Sequence, residues 1–145
     1  MEKIPFINYL KTIEKETGSN IYIVGGTVRD FILKRDLSDI DIVGFGIDYE
    51  NLAKIVSEKV RCSLIPFKDN IRLVKKGFIL DVSKPRGRDI EEDLRFRDLT
   101  INNLAMTLDG KIIGNDEDII KKRLRFVSEK SVDDDPLRIL RVFRF

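Results

Sequence analysis

The strongest constraint on how this chain folds lies in residues 21–43, which read IYIVGGTVRDFILKRDLSDIDIV. The apolar run at 21–24 predicts a buried strand, and Gly25 and Gly26 predict a tight turn into a short helix. The alternation D-I-D-I that follows is typical of a half-buried strand, because successive side chains point to opposite faces. Asp39 and Asp41 are therefore expected on one face of that strand, with Ile40 on the other.

Two carboxylates on one face of a strand favour a metal site. At positions i and i+2 they lie roughly 6 to 7 Å apart along the chain and repel each other unless a cation lies between them. Mg²⁺ prefers such oxygen ligands. The glycine pair can expose backbone N–H groups to phosphate, and Arg29 follows in the helix. Together these features predict a site for a metal-bound nucleoside triphosphate, although Asp-x-Asp alone is also typical of a solvated surface and Gly-Gly alone of a plain turn.

Composition narrows the possible chemistry. The chain has 145 residues and no histidine, which excludes Ser-His-Asp triads, histidine-ligated zinc and histidine bases. Cys62 is the single cysteine, so a disulfide framework is impossible and a reducing cytoplasm is the expected location. No apolar run is long enough to span a membrane, and the N-terminus does not resemble a signal peptide. Catalysis would have to depend on carboxylates, metals, lysine and arginine.

The rest of the chain alternates predicted helices and strands. Periodicity predicts helices over 4–16 and 48–60, and strands near 63–67, 71–74, 78–82 and 104–108. Asp81 falls late on one of these strands, where it is either a third carboxylate beside the first two or a plain strand-end acid. After Asp116 we expect a short helix, a strand near 124–127 and a helix beginning at Pro136. Basic residues crowd this last part of the chain, either as an RNA-binding track or as a solvated helical face.

Four stretches, in order, resemble the motifs of a known family: GGTVRD, DLSDIDIV, RDLTIN and DPLRILRVFRF. Their arrangement is similar to the N-terminal catalytic head of class II tRNA nucleotidyltransferases and bacterial poly(A) polymerases. The resemblance implies an α+β fold of the polymerase-β type, with a mixed sheet flanked by helices. It also implies a nucleotidyltransferase head over residues 1–130 and the start of a neck helix over 131–145.

The resemblance also implies roles for individual residues. Asp39 and Asp41 would be metal ligands, with Asp81 as the third catalytic carboxylate. The nucleotide-binding residues implied by position are Gly25, Gly26, Arg29, Arg97, Asp98, Asn102, Arg138 and Arg141. The last two arginines would lie at the boundary with the neck, where helix solubility or ion pairing is an equally good explanation. Phe96 and Leu99 depart from the family motif, which has arginine and phenylalanine at those positions.

The function implied is template-independent transfer of nucleotides from ATP or CTP to an RNA 3′ end, that of tRNA above all. Two Mg²⁺ ions, or Mn²⁺, would assist the reaction, and pyrophosphate would leave. The connection from Asp81 to Asp98 is short, as in relatives that add CC and not the whole CCA end. Three alternatives stay open: a poly(A) polymerase, a catalytically inactive nucleotide-binding head, and nucleotidyl transfer onto a small molecule.

Overall fold

The computed structural model describes residues 6–35, 39–96 and 104–114. Four helices lie in these ranges: α1 (Ile7–Thr17), α2 (Gly26–Ile32), α3 (Tyr49–Val60) and α4 (Ile90–Arg95). The strands are β1 (Asn20–Val24), β2 (Asp39–Phe45), β3 (Ser63–Phe67), β4 (Asn70–Lys75), β5 (Phe78–Ser83), β6 (Leu104–Thr107) and β7 (Ile112–Gly114). This combination confirms the predicted α+β fold with a mixed sheet.

All seven strands form one sheet in the order β3-β4-β5-β2-β1-β6-β7. The central pair, β2 and β5, is parallel, and every other described pairing is antiparallel. A parallel pair needs a long connection, and here that connection contains α3, β3 and β4. The strand that bears Asp39 and Asp41 therefore lies at the centre of the sheet, between two strands that reach it from different parts of the chain.

The two faces of the sheet carry different clusters. The larger one packs the sheet against α1 and α3, with Leu10, Ile13, Leu52 and Val56 completely buried. The smaller cluster, on the other face, joins α4 to β1, β2 and β6 through Val24, Val43, Ile90, Leu94 and Ala105. Side chains alternate between the two faces along β2. Ile40 and Ile42 point into the larger cluster, and the alternate positions of β2 lie on the α4 face.

Most element predictions are confirmed, with shifts of a few residues at the ends. Helix α1 begins at Ile7 and not at residue 4, and two short elements, α4 and β7, were not predicted. Helix α4 has only six residues, and its Asp89 N-cap accepts a hydrogen bond from the Glu92 N–H at 2.8 Å. The predicted helical turn at 100–104 lies almost wholly outside the described residues. So do the elements expected after Asp116 and the proposed boundary at residue 130.

Across the described ranges, we find no helix that combines the length and the apolar character needed to cross a membrane.

Gly44 of β2 marks the closest approach of α3 to the sheet. A Cβ atom at Gly44 would lie 2.6 Å from Leu52 Cδ2, and Leu52 is completely buried. We therefore expect Gly44→Ala to lower the free energy of unfolding by about 1–3 kcal/mol through overpacking, and Leu52→Ala to lower it by about 2–5 kcal/mol. In the double variant the added methyl group enters the space that Leu52 leaves. Urea unfolding of all four proteins should therefore give a total loss smaller than the sum, and strict additivity would contradict this packing.

Candidate active site

Strand β2 presents its two aspartates on the α4 face of the sheet. Asp39, at the start of the strand, is exposed, and Asp41 is half-buried, while Ile40 and Ile42 between and after them are buried on the opposite face. This confirms the half-buried strand that the D-I-D-I alternation predicts. Both carboxylates therefore lie on one face of the central strand, next to the N-terminus of α2.

Asp81 lies beside this pair because of the parallel pairing. In the β2–β5 register Asp41 is the partner of Asp81, and neighbouring strands are about 4.8 Å apart. In the β4–β5 register Arg72 is the partner of Asp81. Arg72, Asp81 and Asp41 thus form a row across three strands on one face.

The Arg72 guanidinium binds Asp81 through two hydrogen bonds. Nε donates to Oδ1 at 2.9 Å and Nη2 donates to Oδ2 at 3.2 Å. The Asp81 side chain is 14% exposed and that of Arg72 is 50% exposed. The pKa of Arg72 is raised, first by its hydrogen bond to Asp81, then by the charge of Asp81, and further by the charges of Asp39 and Asp41. This guanidinium is therefore within electrostatic reach of all three carboxylates.

Thr27 joins α2 to β2 by two hydrogen bonds. Its hydroxyl accepts from the Asp41 N–H at 3.0 Å and donates to the Asp39 carbonyl at 3.2 Å, and the residue is 3% exposed. The β1–β2 ladder ends at the pair of Ile23 and Ile42, because the chain then turns into α2. The Thr27 hydroxyl takes over the backbone hydrogen bonds of β2 where β1 stops. The sequence alone did not single out this residue.

The Gly25-Gly26 turn lies against the aspartates. Gly25 has φ 67° and ψ −142°, a conformation that is almost restricted to glycine, and a Cβ atom there would lie 3.4 Å from Asp41 Oδ2. A Cβ atom at Gly26 would lie 3.0 Å from Arg29 Nη2. Arg29 Nε also donates to Asp30 Oδ1 at 3.3 Å. The structure therefore brings together the glycines, Arg29 and Asp41, as the sequence predicts.

A divalent cation fits the pair of Asp39 and Asp41 better than a set of three ligands that includes Asp81. No group of three or more Asp, Glu, Cys or His side chains is arranged to hold a metal within residues 6–35, 39–96 and 104–114, and both Asp81 oxygens bind Arg72. Asp39 and Asp41 offer hard oxygen ligands on one face, and Mg²⁺ commonly uses one or two carboxylates together with substrate phosphates and water. The role of Asp81 as a third metal ligand stays a prediction.

Five of the predicted nucleotide-binding residues lie outside the described part of the chain: Arg97, Asp98, Asn102, Arg138 and Arg141. The structure does describe the segment that leads into the first three. There Asp93 of α4 is completely buried, and its Oδ1 accepts the Arg86 N–H at 2.7 Å. This contact fastens the 84–89 loop to α4, and the sequence analysis did not single out Asp93.

A groove opens beside Asp39, at the hairpin between β4 and β5. Its volume is about 400 Å³, and its lining residues are Asp39, Val74, Lys75, Lys76, Gly77, Phe78 and Ile79. The Lys75 ammonium donates to the Val60 carbonyl at 3.0 Å, which ties the hairpin to the end of α3. The charge of Lys75 therefore lies on the α3 face of the sheet, opposite the face that carries Asp39.

Comparison with known proteins identifies relatives of this arrangement. The family model described as the poly(A) polymerase head domain matches residues 21–89. A CC-adding tRNA nucleotidyltransferase of Shouchella clausii is 37% identical over 132 residues, which covers 88% of this chain and 34% of that protein. The chain thus spans about a third of the length of this relative.

Solved structures show the same similarity in three dimensions. The Thermotoga maritima CCA-adding enzyme complexed with tRNA matches with a TM-score of 0.70 at 31% identity, over 94% of this chain and 35% of that one. A tRNA nucleotidyltransferase complexed with a primer tRNA and an incoming ATP analogue matches with a TM-score of 0.68 at 31% identity, over 90% of this chain and 42% of that one.

We expect Thr27→Val to release the start of β2 without removing any charged group. The Asp41 N–H loses its acceptor in a buried setting, so the free energy of unfolding should fall by about 1–3 kcal/mol. Hydrogen exchange at the Asp41 amide should become faster. Thr27→Ser keeps the hydroxyl and serves as the matched control. Unchanged exchange at Asp41 in the valine variant would contradict the proposed contact.

We expect Arg72→Ala to lower the melting temperature in the absence of divalent ions, because the carboxylates then repel one another without a counter-ion. Addition of Mg²⁺ should raise the melting temperature of this variant by more than it raises that of the unmodified protein. Arg88→Ala is the matched control, since the Arg88 side chain, just before α4, is 91% exposed and pairs with Glu92, and such surface pairs contribute little. An equal Mg²⁺ response in all three proteins would refute the counter-ion role.

Proposed function

Because this chain belongs to the family of class II tRNA nucleotidyltransferases and bacterial poly(A) polymerases, as a catalytic head domain, we propose that it transfers nucleotides from ATP or CTP to the 3′ end of tRNA. The observation that carries the proposal is the close placement of Asp41 between Asp81 on the neighbouring strand and Gly25 at the α2 turn. A nucleotidyl transfer needs carboxylates and a triphosphate site side by side, and no histidine. The proposed location is the cytoplasm, with its reducing conditions.

Each part of the site has a proposed role. Gly25, Gly26 and Arg29 bind the triphosphate, because the glycine backbone is open to close approach and the guanidinium lies next to Gly26, where it can form charge-assisted hydrogen bonds to phosphate. Asp39 and Asp41 hold the divalent cation, with Asp81 as the third catalytic carboxylate. Two bound Mg²⁺ ions, or Mn²⁺, would lower the pKa of the attacking hydroxyl and neutralise charge on the leaving pyrophosphate.

The nucleotide-binding role extends to residues that the structure does not describe. Arg97, Asp98 and Asn102 are proposed to contact the ribose and phosphates of the incoming nucleotide. They follow α4 directly, and the buried Asp93 fixes the position of α4 against the 84–89 loop. Arg138 and Arg141 are proposed to complete the site from the start of the neck. These assignments are supported by the motifs that carry the family resemblance.

The finer proposal is that this protein adds CC and not the complete CCA end. The segment between β5 and α4 is limited to residues 84–89, and a Cβ atom at Gly87 would lie 2.9 Å from the Asp93 backbone nitrogen, so this loop packs closely on α4. Such a compact connection leaves little room for the flexible loop expected of CCA-adding members. Transfer to tRNA lacking its last three nucleotides, with CTP and ATP supplied separately and together, tests this. Growth by two cytidines supports the proposal, whereas addition of adenosine or of a long A tail contradicts it.

We expect Asp41→Asn to abolish this activity in the complete protein that contains the chain. Loss of the metal-binding charge should lower kcat by at least about a hundredfold, while the circular dichroism spectrum stays unchanged. Asp69→Asn is the control, because Asp69 is an exposed acid in the β3–β4 turn. Incorporation of labelled nucleotide into tRNA is the measurement. Full activity of Asp41→Asn, or Mg²⁺-dependent ATP binding without any incorporation by the unmodified protein, would overturn the proposed function.

A further inference from the structure

Strand β3 forms an open edge of the sheet. It is the first strand in the sheet order and pairs with β4 alone among the described strands. All five of its residues are exposed, and three of them are large and apolar: Leu64 is 39% exposed, Ile65 49% and Phe67 62%. An exposed apolar edge strand is a template for pairing with a strand of another molecule. This edge is therefore open to association with a second copy of the chain.

The tight turn that joins β3 to β4 determines which backbone groups of β3 point outward. Phe67 and Asn70 close a two-residue turn, and the residues of such a closing pair exchange both of their hydrogen bonds. Bonded and non-bonded pairs alternate along an antiparallel ladder. Ile65 therefore also bonds to β4, whereas the backbone N–H and C=O positions of Leu64 and Pro66 face the open edge.

The β4–β5 hairpin gives the same assignment independently. Lys75 and Phe78 close its two-residue turn, so the backbone groups of Lys75 point to β5 and those of Val74 point to β3. Val74 is the register partner of Ser63. Ser63 therefore bonds to β4, as its position two residues before Ile65 requires.

Pro66 removes a hydrogen-bond donor from the open edge. Proline has no backbone N–H, and a proline in a sheet is confined to positions such as an edge strand whose N–H side faces solvent. The N–H of Cys62, just before the strand, is already donated to the Ser57 carbonyl at 3.1 Å. Within the described residues 62–66, Leu64 is therefore the single source of an outward N–H. The carbonyls of Leu64 and Pro66 both face outward, so the edge has acceptors in excess of donors.

We propose that Pro66 prevents two copies of this chain from pairing through their β3 edges. In an antiparallel arrangement with Ile65 facing Ile65 of the second copy, each Leu64 faces Pro66 of the other copy. A residue with an N–H in place of proline would let each of these two pairs exchange two hydrogen bonds. With proline, each pair keeps only the bond from the Leu64 N–H to the Pro66 carbonyl. The apolar side chains favour this association, and the loss of half of its backbone hydrogen bonds opposes it. This inference does not depend on the proposed function.

Pro66→Val tests the proposal in the complete protein that contains the chain. Valine restores the N–H and suits a strand, so we expect the dissociation constant for self-association to fall by about tenfold to a hundredfold in sedimentation equilibrium. Adding Ile65→Lys should reverse this change, because like charges directly opposite each other destabilise a strand pair. Pro85→Val is the matched control, since Pro85 lies in the loop between β5 and α4 and its replacement adds no donor to β3. A dissociation constant of Pro66→Val equal to that of the unmodified protein would overturn the proposal.

A peptide experiment tests the same contact without relying on the folding of Pro66→Val. Two labelled peptides of residues 61–69 are compared, one with valine and one with N-methylvaline in place of Pro66, so that they differ in a single backbone N–H. The Leu64 carbonyl of the unmodified protein is the acceptor for that N–H. We therefore expect the valine peptide to bind about threefold to tenfold more tightly in fluorescence anisotropy. Equal affinity of the two peptides, or binding of neither, would contradict the proposed pairing.

Discussion

Mutual repulsion of carboxylates on one sheet face is the constraint on which the rest of this structure depends. The parallel pairing of β2 and β5 places Asp41 and Asp81 side by side, and Asp39 lies on the same face. Such an arrangement is costly unless positive charge is supplied. Arg72 supplies it from β4, by two hydrogen bonds to Asp81. A divalent cation that coordinates Asp81 would have to compete with this guanidinium. The Arg72–Asp81 ion pair therefore balances the charge of Asp81 when no metal is bound, and it disfavours metal binding by Asp81.

The start of β2 is held in place by side-chain hydrogen bonds from α2. Its neighbour β1 ends early because the chain must turn at Gly25 to begin α2. Loss of strand pairing would normally leave backbone groups unsatisfied, and the Thr27 hydroxyl bonds to both Asp39 and Asp41 at this point. The turn that is proposed to bind phosphate thus also supplies Thr27, the residue that fixes the strand bearing Asp39 and Asp41. The Gly25-Gly26 turn and the start of β2 are therefore joined directly by hydrogen bonds.

Local patterns were sufficient to predict what depends on neighbours in sequence. The D-I-D-I alternation predicted which side chains of β2 face the core, and the glycines predicted the turn into α2. The partnership of Arg72 with Asp81 could not be predicted, because it depends on strand registers, and a shift of one residue would move Arg72 to the opposite face. The β2–β5 pairing is harder still, since α3, β3 and β4 intervene. Helix α4 was missed although Asp89 and Glu92 have the spacing of a capping box.

Part of the positive charge at the site comes from strand β4, which carries none of the motifs behind the family resemblance. Arg72 lies on β4 and Asp81 on β5, whereas the motif residues supply Asp39, Asp41, the glycines and Arg29. The charge that balances Asp81 thus comes from a residue that no motif marks. Only the β4–β5 register shows that Arg72 lies beside the aspartates.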